Sequence, residues 1–229
     1  MTDMAVLQRR LGHTTTVLFD LDGTLVDSAP DLGTAANKMR TDRGLSPLPL
    51  INYRSWVGTG ARGMIWVAFE STPESVGYDE LKDEFFSNYQ CCLNQKSGLF
   101  AGVELLIEKI VGTGLKWGVV TNKSIRFTVP LTRAMSVFTS AETIVSGDTT
   151  AYAKPHPAPL LFAAEQLGVS PSNCIYVGDD ERDIIAGKAA GMFTVAAAYG
   201  YVGHDVDYRH WNADFTIHNP LDLLELLHL

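Results

Sequence analysis

The chain is poor in cysteine. Its three cysteines are Cys91, Cys92 and Cys174, two of them adjacent and none at zinc-ligand spacing. A disulfide scaffold or a cysteine-bound zinc site is therefore excluded as the organising element, and reduced thiols are expected. Basic residues are also scarce, with 18 Lys and Arg against 26 Asp and Glu, for a formal net charge of −8. Nonspecific binding of nucleic acid or of an anionic membrane draws on the opposite balance, so neither partner is expected. No apolar run approaches the ~20 residues of a membrane span. The segment up to His13 carries Gln8, Arg9 and Arg10 where a secretory leader would be apolar. Repeats and low-complexity tracts are missing as well. These features predict a soluble, cytoplasmic protein whose 229 residues can bury a substantial interior.

Against this plain background stands Asp20-Leu21-Asp22-Gly23-Thr24, directly after the apolar run Val17-Leu18-Phe19. The run reads as a buried strand that delivers two carboxylates to its own C-terminal tip. Side chains alternate along a strand, so Asp20 and Asp22 share one direction while Leu21 turns back into the core. Gly23 lets the backbone turn without a side chain in the way. Two carboxylates 4 Å apart repel by roughly 4 kcal/mol at an effective dielectric near 20. A cation beside them is expected.

Further strand-like runs recur at Trp117–Val120, Thr143–Val145, Cys174–Val177, Thr194–Ala197 and Phe215–Ile217. Helix-length amphipathic stretches lie between the later ones and stop at Gly112/Gly114, Gly168 and Gly191. Alternation of this kind predicts an α/β fold, a doubly wound and mostly parallel sheet with a Rossmann-like core. In such sheets ligands gather at the carboxyl ends of the strands. From Ser28 to about Gly98 no strand-like run occurs, while Ser28-Ala29-Pro30-Asp31 starts a helix and Leu81, Phe85, Phe86, Tyr89 and Leu93 recur at helical spacing. The predicted organisation is an α/β core of residues 14–27 and 99–229 with an inserted all-α domain at 28–98, placed above the carboxyl edge as a potential lid. Ser97–Gly102 is read as the return linker.

Three later segments end at the same edge: Thr121-Asn122 after a strand, Lys154 in the turn Ala153-Lys154-Pro155-His156-Pro157, and Asp179, Asp180 and Asp183 after another strand. Taken singly, Thr121 could cap a helix, Lys154 could be a surface lysine, and the late acids could cap a helix N-terminus. Two acids, a hydroxyl, a lysine and more acids, all at strand tips, point together to a site.

With these residues the chain resembles the haloacid dehalogenase superfamily over nearly its whole length. The matching pieces are Phe19–Ser28, Val120-Thr121-Asn122-Lys123, Lys154-Pro155-His156-Pro157 and Val177–Asp183. The insertion sits where that superfamily carries a helical cap domain. Val57-Gly58-Thr59-Gly60-Ala61 and Ala189-Ala190-Gly191-Met192 look like phosphoglycolate phosphatases. Arg40–Leu45, Trp117–Lys123 and Ala198-Tyr199-Gly200-Tyr201 also look like the phosphatases of N-acetylmuramic acid 6-phosphate.

The resemblance implies a Mg²⁺-dependent phosphomonoesterase acting on a small phosphorylated metabolite, as a monomer or homodimer. In it Asp20 would be the nucleophile that forms an aspartyl-phosphate. Asp22 would serve as acid and then base. Thr121 and Lys154 would hold the phosphoryl oxygens, with Asn122 alongside. Metal ligands would be Asp20, Asp22 through its backbone carbonyl, Asp179 and, at least indirectly, Asp183, which would orient a metal-bound water or the lysine. Thr24 is expected to brace the turn, and Asp180 stands where many relatives carry Ser. Thr59 and Arg62 are candidates to select the substrate, Arg62 through a carboxylate. Lys123 and Arg126 are expected on a solvated helix face, His156 in its turn, and Trp56, Trp66, Phe85 and Phe86 in the core of the insertion. Two rival readings are a phosphosugar mutase on the same scaffold and a phospho-acceptor receiver. Thr24 argues against the former and the long insertion against the latter.

Overall fold

The computed structural model describes residues 11–203 and 206–229. The stretch Gln8–Arg10, read above for a leader, lies outside them. Eight strands are present among the described residues: β1 (Thr16–Phe19), β2 (Val26–Asp27), β3 (Gly98–Leu99), β4 (Lys116–Val120), β5 (Thr143–Val145), β6 (Cys174–Gly178), β7 (Phe193–Ala197) and β8 (Phe215–Ile217). Six of them form one sheet in the order β5–β4–β1–β6–β7–β8, every pair parallel. The main strands fall where the apolar runs predict them.

β1 is central and all four of its residues are buried. Its alternation serves two cores at once. Val17 and Phe19 pack with Trp117, Val119, Ile175 and Val177 on one face, while Leu18 packs with Val120, Tyr176 and Leu160 on the other. Helices cover both faces, which is why the strands read as continuous apolar runs. Helix α5 (Val103–Gly112) shows how: Val103, Leu106, Ile107 and Ile110 form its buried stripe. Among the described residues no helix is long and apolar enough to cross a membrane.

Between β2 and β3 run four helices: α1 (Ala29–Asp42), α2 (Leu50–Arg54), α3 (Ala61–Phe69) and α4 (Tyr78–Cys92). They share a core of Leu32, Met39, Tyr53, Met64, Ile65, Phe85 and Tyr89, to which Phe127 and Tyr201 of the α/β part also belong. Trp56 and Trp66, expected inside it, are each 39 % exposed. Trp66 lies on the outer face of α3 and Trp56 in the turn that follows α2, where large rings stay partly wet.

The plain linker expected at Ser97–Gly102 is half of an antiparallel ribbon, Val26 facing Leu99 and Asp27 facing Gly98. Two-residue strands are too short to show alternation in sequence. They pair because the chain's exit into the helices and its return run side by side.

Asp31 locks this crossing. It is completely buried, and its carboxylate accepts hydrogen bonds from the Lys96 and Ser97 backbone N–H groups at 2.9 and 3.0 Å and from the Ser97 hydroxyl at 2.6 Å. Asp31→Ala strands these donors, and buried donors to a charged acceptor are costly to orphan. The expected loss is on the order of 3 kcal/mol, read from the urea unfolding midpoint at constant slope. An unchanged midpoint would refute the clasp.

Candidate active site

Because the sheet strands run parallel, their carboxyl ends share one edge, and β1 lies at the point where chain order reverses, between β4 and β6. Asp20 follows β1, Thr121 follows β4, Lys154 lies in the loop after β5 and Asp179 follows β6. The four tips expected from the sequence thus meet around a cleft of about 330 Å³, which all four residues line.

Lys154 is the hub. Its ammonium lies 2.8 Å from Asp20 Oδ1, 2.7 Å from Asp183 Oδ1, 2.8 Å from the Tyr176 hydroxyl and 3.0 Å from the Val120 carbonyl. Asp183, open between a water and the lysine in the sequence reading, stands against the lysine. Asn122 faces the backbone of Lys154: its Oδ1 accepts from the Lys154 N–H and its Nδ2 donates to the Lys154 carbonyl, both at 2.9 Å. It fixes the loop that carries the lysine. Tyr176 had no sequence signal beyond an aromatic in a strand; its hydroxyl also donates to Val120 O at 2.8 Å. The Thr121 hydroxyl accepts from the Lys123 N–H at 3.1 Å, which turns the loop inward.

Asp20, Asp179 and Asp183 offer carboxylate oxygens within 4.8 Å of one another. Hard oxygens at this spacing fit a divalent cation such as Mg²⁺. The cradle is tight. At Gly23, whose φ is +88°, a Cβ would come within 2.1 Å of Asp179 Oδ2, and a Cβ at Gly200 within 2.3 Å of Asp179 Cβ. Thr24 donates to Asp179 Oδ1 at 3.0 Å and the Tyr201 N–H to Oδ2 at 2.8 Å. Thr24 therefore braces an acid of the trio as well as the turn. The Asp22 side chain is outside this group. Ser28 donates to its Oδ1, and Lys123 Nζ lies 3.0 Å from both of its oxygens.

Lys123 thereby corrects the expectation of a solvated helix face. Helix α6 (Ile125–Arg133) begins two residues later, and the Lys123 side chain is only 7 % exposed. Arg126 is exposed and reaches Gln90 of α4. Thr59 lines the cleft; Arg62 is exposed and does not. The arginine in the cleft is Arg182, which pairs with Asp180 at 2.7 Å and donates to the Gly58 carbonyl of the helical insertion. Asp180's charge is thus answered locally, while its side chain caps α8 (Glu181–Ala189). Phe85 and Phe86 line the cleft as well as packing in the insertion. His156 serves its turn, its Nδ1 accepting from the Ala158 N–H.

Residues 17–197 match the family model described as haloacid dehalogenase-like hydrolase. The chain belongs to that family. It is 42 % identical over 209 residues to a phosphoglycolate phosphatase of Xanthomonas campestris pv. campestris, spanning 91 % of this chain and 94 % of that protein. It is 39 % identical over 211 residues to the N-acetylmuramic acid 6-phosphate phosphatase of Pseudomonas aeruginosa, spanning 92 % and 93 %. A crystal structure titled as a "predicted phosphoglycolate phosphatase" from Haemophilus somnus 129PT superposes with a TM-score of 0.82 at 28 % identity, covering 93 % of this chain and 98 % of that one.

In this hydrolase the acids at the edge are under strain from burial. Burial pushes Asp20 up, Lys154 pulls it back, and Asp183 and Asp22 add repulsion, leaving it at about 6 against an ordinary 3.8. Burial, then Asp20 and Asp183, hold Asp179 well above its usual range. Burial opposes charge on Lys154, yet Asp183 and Asp20 raise it to about 12, so it stays an ammonium. A carboxyl raised on folding stabilises the native state below its ordinary pKa and loses that contribution as pH climbs through the folded value. In metal-free protein, the melting temperature of wild type relative to Asp20→Asn should fall as pH rises from 3.8 to about 6. A difference that grows over that interval would contradict the assignment.

Proposed function

We propose that this hydrolase is a Mg²⁺-dependent phosphomonoesterase that works through an aspartyl-phosphate on Asp20. Its substrate would be a small organic phosphate, 2-phosphoglycolate or a sugar phosphate such as N-acetylmuramic acid 6-phosphate. The observation that carries the reading is the convergence of Asp20, Lys154, Asp179 and Asp183 at one strand edge with Asp22 in the same cleft. Residues 28–98 would act as a helical cap over that edge.

Asp20 is the nucleophile: one carboxylate oxygen forms a bond to phosphorus as the ester P–O bond breaks. Asp22, entering as the acid, hands its proton to the leaving alkoxide. As the carboxylate it then takes a proton from the water that attacks the phosphoryl group, releasing inorganic phosphate and restoring Asp20. Its carboxylate lies 3.0 Å from the Lys123 ammonium. Lys154 and Thr121 hold the non-bridging oxygens, and Lys154 also neutralises charge beside Asp20. Mg²⁺ held by Asp20, Asp179 and Asp183 would supply the positive charge that lets an anion approach a phosphate dianion.

Asp20→Asn removes the nucleophile and should lower phosphate release from p-nitrophenyl phosphate by more than about a thousandfold. Lys154→Ala should cost on the order of a hundredfold in kcat. EDTA should silence the wild type and added Mg²⁺ restore it. Full activity in EDTA would remove the metal, and retained turnover in Asp20→Asn would remove the nucleophile.

A further inference from the structure

The stretch Ala198-Tyr199-Gly200-Tyr201 follows β7 and has no part in the mechanism above, yet it presses on one of the three clustered acids. Both carboxylate oxygens of Asp179 are held by the protein. Oδ1 accepts from the Thr24 hydroxyl at 3.0 Å and Oδ2 from the Tyr201 N–H at 2.8 Å. A carboxylate oxygen has two lone pairs, so each keeps one for a cation. The two donors fix the orientation in which the group is offered.

The loop comes this close because residue 200 is a glycine. A Cβ there would lie 2.3 Å from Asp179 Cβ and 2.4 Å from the Gly23 carbonyl oxygen. Glycine admits the approach but restrains its own backbone least of all residues, so the neighbours must hold the loop in place. Tyr199 donates its hydroxyl to the Thr24 carbonyl at 2.8 Å. The Tyr201 hydroxyl donates to Asp27 Oδ1 at 2.8 Å and accepts from the Ala29 N–H at 3.0 Å. All three partners lie within residues 24–29, the chain that leaves β1.

The two rings are themselves packed. Phe100 lies 5.5 Å from the Tyr199 ring and 6.2 Å from the Tyr201 ring. The Arg54 guanidinium lies 5.4 Å from the Tyr201 ring centroid and pairs with Asp27 Oδ2 at 3.0 Å. Burial, then Asp179 beside Tyr199 and Asp27 beside Tyr201, hold both phenols far above their ordinary range, so both stay neutral donors. Neither tyrosine lines the cleft, so neither meets the substrate.

Resting on the Mg²⁺-dependent reading above, we propose that Tyr199 and Tyr201 are positioning residues for Asp179. Their two hydroxyls anchor the loop after β7 so that Gly200 and the Tyr201 N–H bear on this carboxylate. The anchoring thereby sets the affinity of the Asp20, Asp179 and Asp183 cluster for a divalent cation. An outer partner that orients a metal ligand acts on affinity without touching the reacting atoms.

The test is calorimetric titration of metal-free protein with Mg²⁺ alone, in wild type, Tyr199→Phe and Tyr201→Phe. Each variant keeps its ring and loses only a hydroxyl. Each should bind Mg²⁺ about tenfold more weakly than wild type, the lower end of what losing an outer partner of a metal ligand costs. The Mg²⁺ concentration for half-maximal hydrolysis of p-nitrophenyl phosphate should rise by the same factor. At saturating Mg²⁺, kcat should stay within about twofold of wild type. Unchanged Mg²⁺ affinity overturns the inference, and a lowered urea midpoint alongside it would give the phenols a purely structural role. Should Tyr201→Phe fail to fold, Tyr199→Phe decides, since it leaves the bonds to Asp27 and Ala29 in place. If wild type itself takes up no Mg²⁺, the metal reading falls and this inference with it.

Discussion

The Lys154 ammonium between Asp20 and Asp183 is the interaction on which the strand edge depends. Three carboxylates share a region less than 5 Å across, all of them buried. At such distances each like-charge pair costs on the order of 4 kcal/mol even at an effective dielectric near 20. One fixed cation with oxygens all around it turns that repulsion into a defined geometry. The lysine can do so only because Asn122 grips its backbone from both sides and the Tyr176 hydroxyl sits beneath it. Asp20, Lys154, the loop after β4 and the central strand β6 are therefore one polar unit, and no member can be displaced without leaving another unpaired.

That unit is wired to the helical insertion through its hinge. Ser28 donates to Asp22, the Ala29 N–H donates to the Tyr201 hydroxyl at 3.0 Å, and that hydroxyl donates to Asp27 at 2.8 Å. The Tyr201 N–H meanwhile holds Asp179. Three consecutive hinge residues are thus bonded to Asp22 or to the tyrosine that positions Asp179. Arg182 adds a contact on the far side of the cleft, reaching the Gly58 carbonyl. Asp22 and Asp179 thus share hydrogen bonds with the segment by which the chain enters the insertion.

The chain's α/β core was legible because each of its signals is local. β1, β4 and β6 announce themselves as apolar runs, and the acids, hydroxyl and lysine at their tips follow directly in sequence. Tyr176, Lys123 and Arg182 were not legible as site residues, since their roles depend on partners 22, 101 and 124 positions away. Lys123 resembles a surface lysine until the loop turns it toward Asp22. Arg62 and Arg182 could not be ranked from spacing, because only the packing of the insertion decides which arginine faces the cleft. The Ala198-Tyr199-Gly200-Tyr201 stretch could be matched to relatives without revealing that one tyrosine ties Asp179 to the hinge, and the ribbon of β2 and β3 was too short to carry a pattern.

Charge in the cleft is unevenly divided. Among its lining residues five carboxylates face three cations, a formal charge of −2 before any ligand enters. A divalent cation held by the Asp20, Asp179 and Asp183 oxygens would cancel that excess. Each further negative charge would have to be balanced by a group already holding a partner. Freeing Lys123 releases Asp22, and freeing Arg182 releases both Asp180 and the contact to Gly58. On α4, Phe85, Phe86 and Tyr89 line the cleft from one side of a single helix, apart from the polar unit at the strand edge.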